Sequence, residues 1–312
     1  MVAYFARVPE ECEFPLIGAW IALPDAARSN MPQKIEEPPQ ETPGLTTEMN
    51  RKPDHGEKSY QGFDRLRGKA ALITGGDSGI GRAVAIAYAR EGADVAISYL
   101  PEEEEDARET ERWVRQAGRR ALLLPGDITD EQHCRTMIER VVAEFGKIDI
   151  LVNNAAYQMT HQEVEEFSSE EWDHTFRTNI YAMFYLSKAA LPRMKEGGAI
   201  VNTASVQAYK PNGMLLAYAT TKGAIVTFSK ALSELAVKQG VRVNVVAPGP
   251  VWTPLIPSTM PKEKVEKFGQ DSPFGRPAQP AEMAPAFVFL ASAESSYVTG
   301  SVMDLTGGKM LP

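Results

Sequence analysis

From Lys69 onward, short apolar runs alternate with longer segments in which apolar residues recur at helical spacing. Seven of the short runs are mostly apolar, and they span residues 70–74, 95–99, 121–124, 148–153, 199–203, 241–247 and 302–305. Near-continuous apolar strands are typical of a parallel sheet whose two faces are both covered by helices. The pattern therefore predicts a doubly wound α/β fold with a mostly parallel sheet of seven strands.

Signals for helix ends lie between these runs. One segment carries an apolar stripe at helical spacing, formed by Ile80, Ala83, Val84, Ala87 and Tyr88. Gly92 follows the stripe and predicts the carboxyl-terminal end of that helix. Thr129 with Gln132, and Ser168 with Glu171, have the spacing of a capping box, so they predict two further helix starts.

The first 66 residues differ from the rest because prolines recur and no apolar period is sustained. Proline removes a backbone donor and favours extended backbone. We predict an arm over residues 1–66, partly disordered or docked on a neighbouring subunit, and one α/β domain over residues 67–312. Met31 is a candidate translation start, in which case residues 1–30 are an upstream artefact.

Composition and charge exclude several classes of partner. The chain has 312 residues, 43% of them hydrophobic, and a formal net charge of −8, which argues against nucleic-acid and anionic-membrane partners. Two cysteines indicate no disulfide framework, and the four histidines have no metal-ligand spacing. No apolar stretch reaches the roughly 18 to 20 residues that a membrane-spanning helix needs. We therefore predict a cytoplasmic protein without a metal.

A glycine-rich turn over residues 74–81 follows the first predicted strand and opens the first predicted helix. Gly75 permits a tight turn, and Gly79 and Gly81 let the backbone and the helix approach a pyrophosphate closely. The amino terminus of the helix then presents free N–H groups and a partial positive charge to that phosphate. The turn predicts a Rossmann-type dinucleotide site.

Tyr218 and Lys222 indicate the chemistry, because they are four residues apart at the start of a predicted helix and share one face. A phenol that exchanges protons near pH 7 needs a pKa about three units below its usual value, which takes roughly 4 kcal/mol. A neighbouring ammonium and an oxidised nicotinamide ring are charges of the right sign. Ser205, at the end of a predicted strand, could hydrogen-bond the substrate oxygen beside the phenol.

These motifs, together with Asn153-Asn154-Ala155-Ala156, Asn179 and Pro248-Gly249, resemble a short-chain dehydrogenase/reductase over residues 69–308. The resemblance implies that Tyr218 is the general acid/base, that Ser205 polarises the carbonyl, and that Lys222 lowers the Tyr218 pKa and holds the nicotinamide ribose. It further implies that Asn179 interrupts its helix around a proton-relaying water, and that the enzyme is a homotetramer. Ala156 departs from the family's usual glycine.

The resemblance also implies a set of residues that bind the dinucleotide. Asp127 and Ile128 meet the adenine, and Val251 and Thr253 hold the carboxamide. The full set is Gly75, Ser78, Gly79, Ile80, Gly81, Tyr99, Asp127, Ile128, Asn154, Ala155, Tyr218, Lys222, Pro248, Gly249, Val251 and Thr253.

A narrower likeness is to glucose/ribitol dehydrogenase homologues and bacterial general-stress oxidoreductases. It rests on the residues Gly75-Gly76-Asp77-Ser78-Gly79, on Ser98-Tyr99-Leu100-Pro101, on the segment 248–257 and on the proline-rich arm. The choice between NAD and NADP stays open. Tyr99 stands where an acidic residue favours NAD, and the arginine typical of NADP sites is absent since Leu100 follows. The carboxylates of residues 102–105 could repel a 2′-phosphate or only begin a solvated helix.

Three loops are predicted to line the substrate pocket: residues 157–159, 207–216 and 252–260, with residues 255–275 as a lid. Gln158, Gln207 and Asn212 could hydrogen-bond hydroxyls, whereas Trp252 and Leu255 favour an apolar face. The predicted function is an NAD(P)-dependent oxidoreductase that interconverts an alcohol and an aldehyde or ketone. The alternatives are a dedicated sugar or polyol dehydrogenase and a non-catalytic dinucleotide-sensing protein.

Overall fold

One sheet of seven parallel strands organises the computed structural model, which describes residues 35–309. The strands are β1 (Ala70–Thr74), β2 (Asp94–Tyr99), β3 (Ala121–Pro125), β4 (Ile150–Asn153), β5 (Ala199–Thr203), β6 (Arg242–Pro248) and β7 (Val302–Leu305). Their order is β3-β2-β1-β4-β5-β6-β7. The predicted fold is confirmed, and the described strands are parallel throughout. The candidate start Met31 lies outside the described residues.

The strands are connected mainly by helices. These are α1 (Gly79–Arg90), α2 (Glu104–Gln116), α3 (Glu131–Phe145), α4 (Ser169–Phe176), α5 (Ala182–Ala190), α6 (Leu216–Ala236), α7 (Leu255–Thr259), α8 (Lys262–Val265) and α9 (Pro280–Ala291). A π-helical turn, Arg177–Tyr181, joins α4 to α5. Within residues 35–309, no helix combines the length and the apolar character needed to cross a bilayer.

Two of the three predicted helix-end signals are confirmed. Gly92 has a φ of +93° just after α1, and the Ser168 hydroxyl accepts a 3.1 Å hydrogen bond from the Glu171 N–H at the start of α4. The Thr129 signal is wrong by one residue. Asp130 caps α3 by accepting from the Gln132 N–H at 2.8 Å, because the Thr129 hydroxyl is turned back to the Asp127 carboxylate.

Alternate side chains of the central strands enter two apolar layers. Ala71 and Ile73 of β1 face the layer that contains α1 and α9, whereas Ala70 and Leu72 face the layer that contains α3 and α5. Both layers are closed to solvent. The strand order reverses between β1 and β4, and in an open α/β sheet the crevice outside the carboxyl ends of the strands at such a point is where ligands bind.

The described part of the arm, residues 35–66, contacts the α/β domain of its own chain through buried polar groups. The Thr46 N–H donates to the Asp106 carboxylate at 2.6 Å, and the Tyr60 hydroxyl and Arg65 guanidinium donate to the Glu91 carboxylate, each at 2.6 Å. Docking of the arm on a neighbouring subunit stays a prediction.

Asp106 is also paired with Arg82, at 2.8 Å, and both side chains are almost fully buried. We call Tyr60, Arg65, Arg82, Glu91 and Asp106 the arm junction.

Candidate active site

The glycine turn after β1 has the backbone shape that a close approach requires. Gly75 and Gly79 have φ values of +61° and +49°, in the region that favours glycine. A Cβ at Gly81 would lie 1.8 Å from the Gly75 carbonyl oxygen, and one at Gly79 would lie 3.0 Å from Cγ2 of Thr253. A side chain is therefore excluded at Gly81 and tightly restricted at Gly79, and the loop after β6 lies directly against the turn.

The residues after β4 hold the turn from the other side. The Thr74 hydroxyl accepts hydrogen bonds from the N–H groups of Asn154 and Ala155 at 2.9 and 3.0 Å. The Asn154 amide donates in turn to the Thr74 carbonyl at 3.1 Å. Asn154 and Ala155 therefore lie beside the glycine turn, but the Asn154 side chain is bound to this chain's own backbone.

The loop after β6 is fixed to the last strand. The Gly249 N–H donates to the Leu305 carbonyl at 2.9 Å, and a Cβ at Gly249 would lie 3.0 Å from the Cα of Thr306. Pro248 ends β6, and Val251 forms an isolated bridge with Ala278. Val251 and Thr253 thus lie at the crevice on a segment whose backbone is restrained by these contacts.

The three residues predicted on the adenosine side lie at the ends of β2 and β3. The buried Tyr99 donates its hydroxyl to the Glu104 carboxylate at 2.6 Å, and burial together with Glu104 raises the Tyr99 pKa. Asp127 accepts from the N–H and the hydroxyl of Thr129 at 2.8 and 2.7 Å. Ile128 is buried in the core layer beside α3. Tyr99 and Asp127 are therefore oriented by neighbouring side chains.

We call the four predicted catalytic residues the catalytic corner. Ser205 follows β5, Tyr218 and Lys222 lie at the start of α6, and Asn179 lies between α4 and α5. The Ser205 hydroxyl lies near the Tyr218 phenol and lowers its pKa. Lys222 follows one helical turn later, with its Nζ 5.1 Å from the Tyr218 ring centroid. The same Nζ donates to the Thr203 carbonyl at 2.8 Å, so β5 and α6 are joined at this point.

Asn179 occupies the π-helical turn between α4 and α5 and is 2% exposed. Its Oδ1 accepts from the Tyr157 N–H at 2.8 Å, while its Nδ2 donates to the Tyr157 carbonyl at 2.9 Å and to the Thr221 hydroxyl at 3.0 Å. Asn179 therefore ties the loop after β4 to α6. The proton-relaying water stays a prediction.

Burial shifts the two titratable groups of the catalytic corner in opposite directions. It raises the pKa of Tyr218 to about 12, against a smaller lowering by the nearby Ser205 hydroxyl, and it lowers the pKa of Lys222 to about 7. The expectation that Lys222 lowers the Tyr218 pKa is not met by the chain itself. The physical reason is that burial disfavours both charged forms, and the ammonium is bound to the Thr203 carbonyl rather than to the phenol.

Comparison with known proteins decides the family. The family model described as Enoyl-(Acyl carrier protein) reductase matches residues 75–309. General stress protein 39 of Bacillus subtilis is 51% identical over 269 residues, which are 86% of this chain and 94% of that protein. The chain belongs to the short-chain dehydrogenase/reductase family, and it is an oxidoreductase that uses NAD or NADP.

A second relative and a solved structure agree with this assignment. The Glucose and ribitol dehydrogenase of Daucus carota is 45% identical over 285 residues, covering 90% of this chain and 97% of that protein. A short-chain dehydrogenase of Burkholderia cenocepacia, solved in complex with NADP, has a TM-score of 0.72 at 30% identity and covers 78% of this chain and 98% of that one. The family and the subgroup expected from the sequence are confirmed.

Several residues expected to line the substrate pocket of this oxidoreductase are hydrogen-bonded to other parts of the chain. Gln158 is 3% exposed and donates to the Thr259 hydroxyl at 2.7 Å. Trp252 is fully buried, and its indole N–H donates to the Arg51 carbonyl of the arm at 3.0 Å. Both side chains are therefore buried and hydrogen-bonded within the chain, which does not fit their expected role as substrate contacts.

Two polar side chains of the loop after β5 are also hydrogen-bonded within that loop. The Gln207 amide oxygen accepts from the Asn212 N–H at 2.7 Å, and the Asn212 amide oxygen accepts from the Met214 N–H at 3.1 Å. These two oxygens stabilise the loop. Fewer acceptors are left for substrate hydroxyls than the sequence predicts.

The arm contacts the segment expected to act as a lid. The Gln40 N–H donates to the Pro257 carbonyl at 3.2 Å, and the Ile35 N–H donates to the Glu266 carbonyl at 3.0 Å. Arm contacts of this kind had no signal in the sequence, because they join positions more than 200 residues apart. Thr203 and Thr221, which hold Lys222 and Asn179, were missed as well, although both adjoin the predicted motifs.

Proposed function

We propose that this short-chain dehydrogenase/reductase interconverts an alcohol and an aldehyde or ketone, with Tyr218 as the general acid/base. The observation that carries the proposal is the proximity of the Ser205 hydroxyl to the Tyr218 phenol, with the buried Lys222 Nζ 5.1 Å from the Tyr218 ring. Two adjacent hydroxyls can bind one carbonyl oxygen from two directions. One of them then polarises the oxygen while the other transfers a proton.

Proton transfer is assigned to Tyr218 because of its protonation state. With a pKa raised to about 12 by burial, the phenol stays protonated at neutral pH and can donate to a carbonyl oxygen as that oxygen gains charge. Ser205 donates a hydrogen bond to the same oxygen. The nicotinamide, when bound, supplies or accepts the hydride. The chain itself therefore suits the reduction of a carbonyl.

The residues of the crevice fit a dinucleotide. Gly81 leaves no space for a side chain against Gly75, and the amino terminus of α1 begins there with its first N–H groups unpaired within the helix. Lys222 uses one of its three N–H donors on Thr203. We assign the remaining donors to the hydroxyls of the nicotinamide ribose.

A small carbonyl compound is the substrate class that the pocket favours, because Gln158 and the amide oxygens of Gln207 and Asn212 are bound within the protein. The name of the carrot relative favours the second candidate, a dedicated sugar or polyol dehydrogenase. Such an enzyme should prefer glucose or ribitol over simple carbonyls by orders of magnitude in kcat/KM.

We also propose a homotetramer that works in the cytoplasm. A groove between α5 and α6 is lined by apolar side chains and is open to solvent in one chain. Phe184 and Leu235, in that groove, are 47% and 58% exposed. Apolar patches of this kind mark protein interfaces. Sedimentation that shows a monomer would rule the tetramer out.

The test is a panel of aldehydes, ketones and sugars with NADH and with NADPH, followed by the absorbance of the reduced nicotinamide. Tyr218→Phe is the matched variant, since it removes only the hydroxyl. We expect it to lose about 10² to 10⁴-fold in kcat at unchanged cofactor affinity. Turnover that survives in Tyr218→Phe would refute the acid/base role. Tight cofactor binding without turnover on any compound would instead favour a dinucleotide-sensing protein.

A further inference from the structure

The described part of the arm is hydrogen-bonded to the segment that follows β6. We call residues 35–52 the strap and residues 252–266 the β6 segment. The Ile35 N–H donates to the Glu266 carbonyl at 3.0 Å, and the Gln40 N–H donates to the Pro257 carbonyl at 3.2 Å. Both bonds join backbone to backbone, so they restrain the course of the β6 segment itself.

A buried side chain and a close backbone approach add to this interface. Trp252 is fully buried, its indole N–H donates to the Arg51 carbonyl at 3.0 Å, and its ring centroid lies 6.5 Å from that of Phe268. Gly44 is buried, and a Cβ at that position would lie 2.5 Å from the Pro254 carbonyl oxygen. The backbone of the strap therefore lies directly against the β6 segment, without space for a methyl group at Gly44.

The strap is itself restrained. The Glu37 carboxylate accepts from the N–H groups of Asn50 and Arg51 at 2.6 and 3.0 Å, so it joins the two ends of the strap. The Thr46 N–H is bound at 2.6 Å to the carboxylate of Asp106 in α2. The strap can hold the β6 segment because it is fixed to itself and to the α/β domain.

The β6 segment in turn contacts the glycine turn and the loop after β4. A Cβ at Gly79 would lie 3.0 Å from Cγ2 of Thr253. At the end of α7, the Thr259 hydroxyl accepts from the Gln158 amide at 2.7 Å, and the Thr259 carbonyl accepts from the Thr160 hydroxyl at 2.9 Å. A displacement of the β6 segment would therefore disturb two sides of the crevice.

We infer that the strap is a positioning element for the reaction, because it holds the β6 segment in the shape that receives the substrate before the substrate binds. When a loop has to be ordered by its ligand, the apparent affinity falls by the fraction of molecules that are competent to bind. Contacts within the chain that keep this fraction high remove the loss. The kinetic consequence rests on the proposed function, since it takes a carbonyl substrate to bind beside the β6 segment.

Gly44→Ala tests the inference, because its methyl group forces the strap away from the Pro254 carbonyl. Hydrogen exchange of the full-length protein, measured by mass spectrometry, reports on the β6 segment without any substrate. The N–H groups of Ile256 and Met260 are hydrogen-bonded within this segment, so they exchange through local opening. Peptides that contain them should exchange at least about tenfold faster in Gly44→Ala than in the unmodified protein.

Steady-state kinetics distinguish positioning of the substrate from support of the fold. The probe is the carbonyl compound with the highest kcat/KM in the panel, with the dinucleotide at saturation. We expect Gly44→Ala to raise KM about tenfold and to change kcat less than about twofold, since a bound substrate has already ordered the β6 segment.

Trp252→Phe is the second variant, and it decides the question if Gly44→Ala does not fold. It keeps an aromatic ring and removes the hydrogen bond to the Arg51 carbonyl. The exchange of the β6 segment and the KM should change in the same direction as in Gly44→Ala.

Gly62→Ala is the matched control. A Cβ at Gly62 would lie 2.0 Å from the Arg90 carbonyl oxygen, so this substitution displaces the arm at the end of α1 rather than at the β6 segment. It should lower the free energy of unfolding and leave the exchange of the β6 segment and the KM unchanged.

Unchanged exchange of the β6 segment in folded Gly44→Ala and Trp252→Phe would overturn the inference. Faster exchange with an unchanged KM would overturn it as well, because the strap would then support the fold alone. Unmodified protein that turns over none of the carbonyl compounds would refute the proposed function instead, and hydrogen exchange would then decide by itself whether the strap holds the β6 segment.

Discussion

The catalytic corner and the arm junction are both largely buried and polar, but their hydrogen bonds are distributed differently. In the arm junction, Glu91 is fully buried and its carboxylate accepts from Tyr60, from Arg65 and from two backbone N–H groups. In the catalytic corner, the Ser205 hydroxyl accepts from the Gln207 N–H at 3.2 Å and lies near the Tyr218 phenol, so it has hydrogen-bonding capacity left. The junction satisfies its charges within the chain, whereas the corner keeps donors for a ligand.

This difference separates the structural polar groups from those that we propose to be catalytic. Removing one member of a saturated ionic cluster lowers the stability of the fold, because the remaining charge stays buried without its partner. Removing one of the two hydroxyls of the catalytic corner should cost little stability, because no buried charge loses its partner. Substitutions in the junction should therefore change the free energy of unfolding, and those in the corner should change turnover.

Arg82→Met is expected to have the largest effect. It leaves Asp106 fully buried without its guanidinium partner and removes a 2.6 Å hydrogen bond to the Asp77 carbonyl. Breaking one side of a buried ion pair costs about 3 to 5 kcal/mol of unfolding free energy. Urea unfolding at neutral pH measures that loss.

The control for Arg82→Met is the double variant Arg82→Met with Asp106→Leu, which removes both charges. It should recover most of the lost stability, because apolar replacements of a buried pair are often neutral. A single variant that costs less than about 1 kcal/mol, the net value of an ordinary hydrogen bond, would contradict the ionic description of the junction.

Ser205→Ala should lower turnover strongly and change the stability of the fold only slightly. Removing a donor that polarises the reacting oxygen is expected to lower kcat/KM by about 10²-fold, close to 3 kcal/mol. The unfolding free energy should change by less than about 1 kcal/mol, since the bond that the Ser205 hydroxyl accepts within the chain is a 3.2 Å contact with the Gln207 N–H. Steady-state kinetics and urea unfolding of the same preparation give both numbers. Equal losses in the two measurements would break the distinction between corner and junction.

The sequence was most informative where a local pattern sets the geometry. The apolar runs predicted the strands of the sheet. The spacing of four residues between Tyr218 and Lys222 predicted that both side chains lie on one face of α6. It was least informative about long-range contacts. Trp252 and Gln158 are residue types that suit a substrate pocket, but their side chains donate hydrogen bonds to Arg51 and Thr259. The direction of the Tyr218 pKa shift could not be predicted either, because it depends on burial.

Glu91→Gln tests the arm junction through pH and has the smallest expected effect. Burial alone would raise the Glu91 pKa, but the hydrogen bonds from Arg65, Tyr60 and the backbone outweigh it and bring the pKa from 4.5 to about 2. A pKa that is lower in the folded state adds stability above the unfolded value and loses it as the pH falls. The variant should therefore be about 2 kcal/mol less stable at pH 7, where the native carboxylate is charged.

That deficit should shrink as the pH falls below about 4.5 toward 2, because both proteins then carry a neutral side chain at this position. Urea midpoints measured between neutral pH and the acid limit of folding follow the change. Glu294→Gln is the matched control, since Glu294 is 53% exposed and lies 3.8 Å from the same Arg65. It should cost less than about 0.5 kcal/mol at any pH. A pH-independent deficit in Glu91→Gln would show that shape rather than charge holds the arm to the domain.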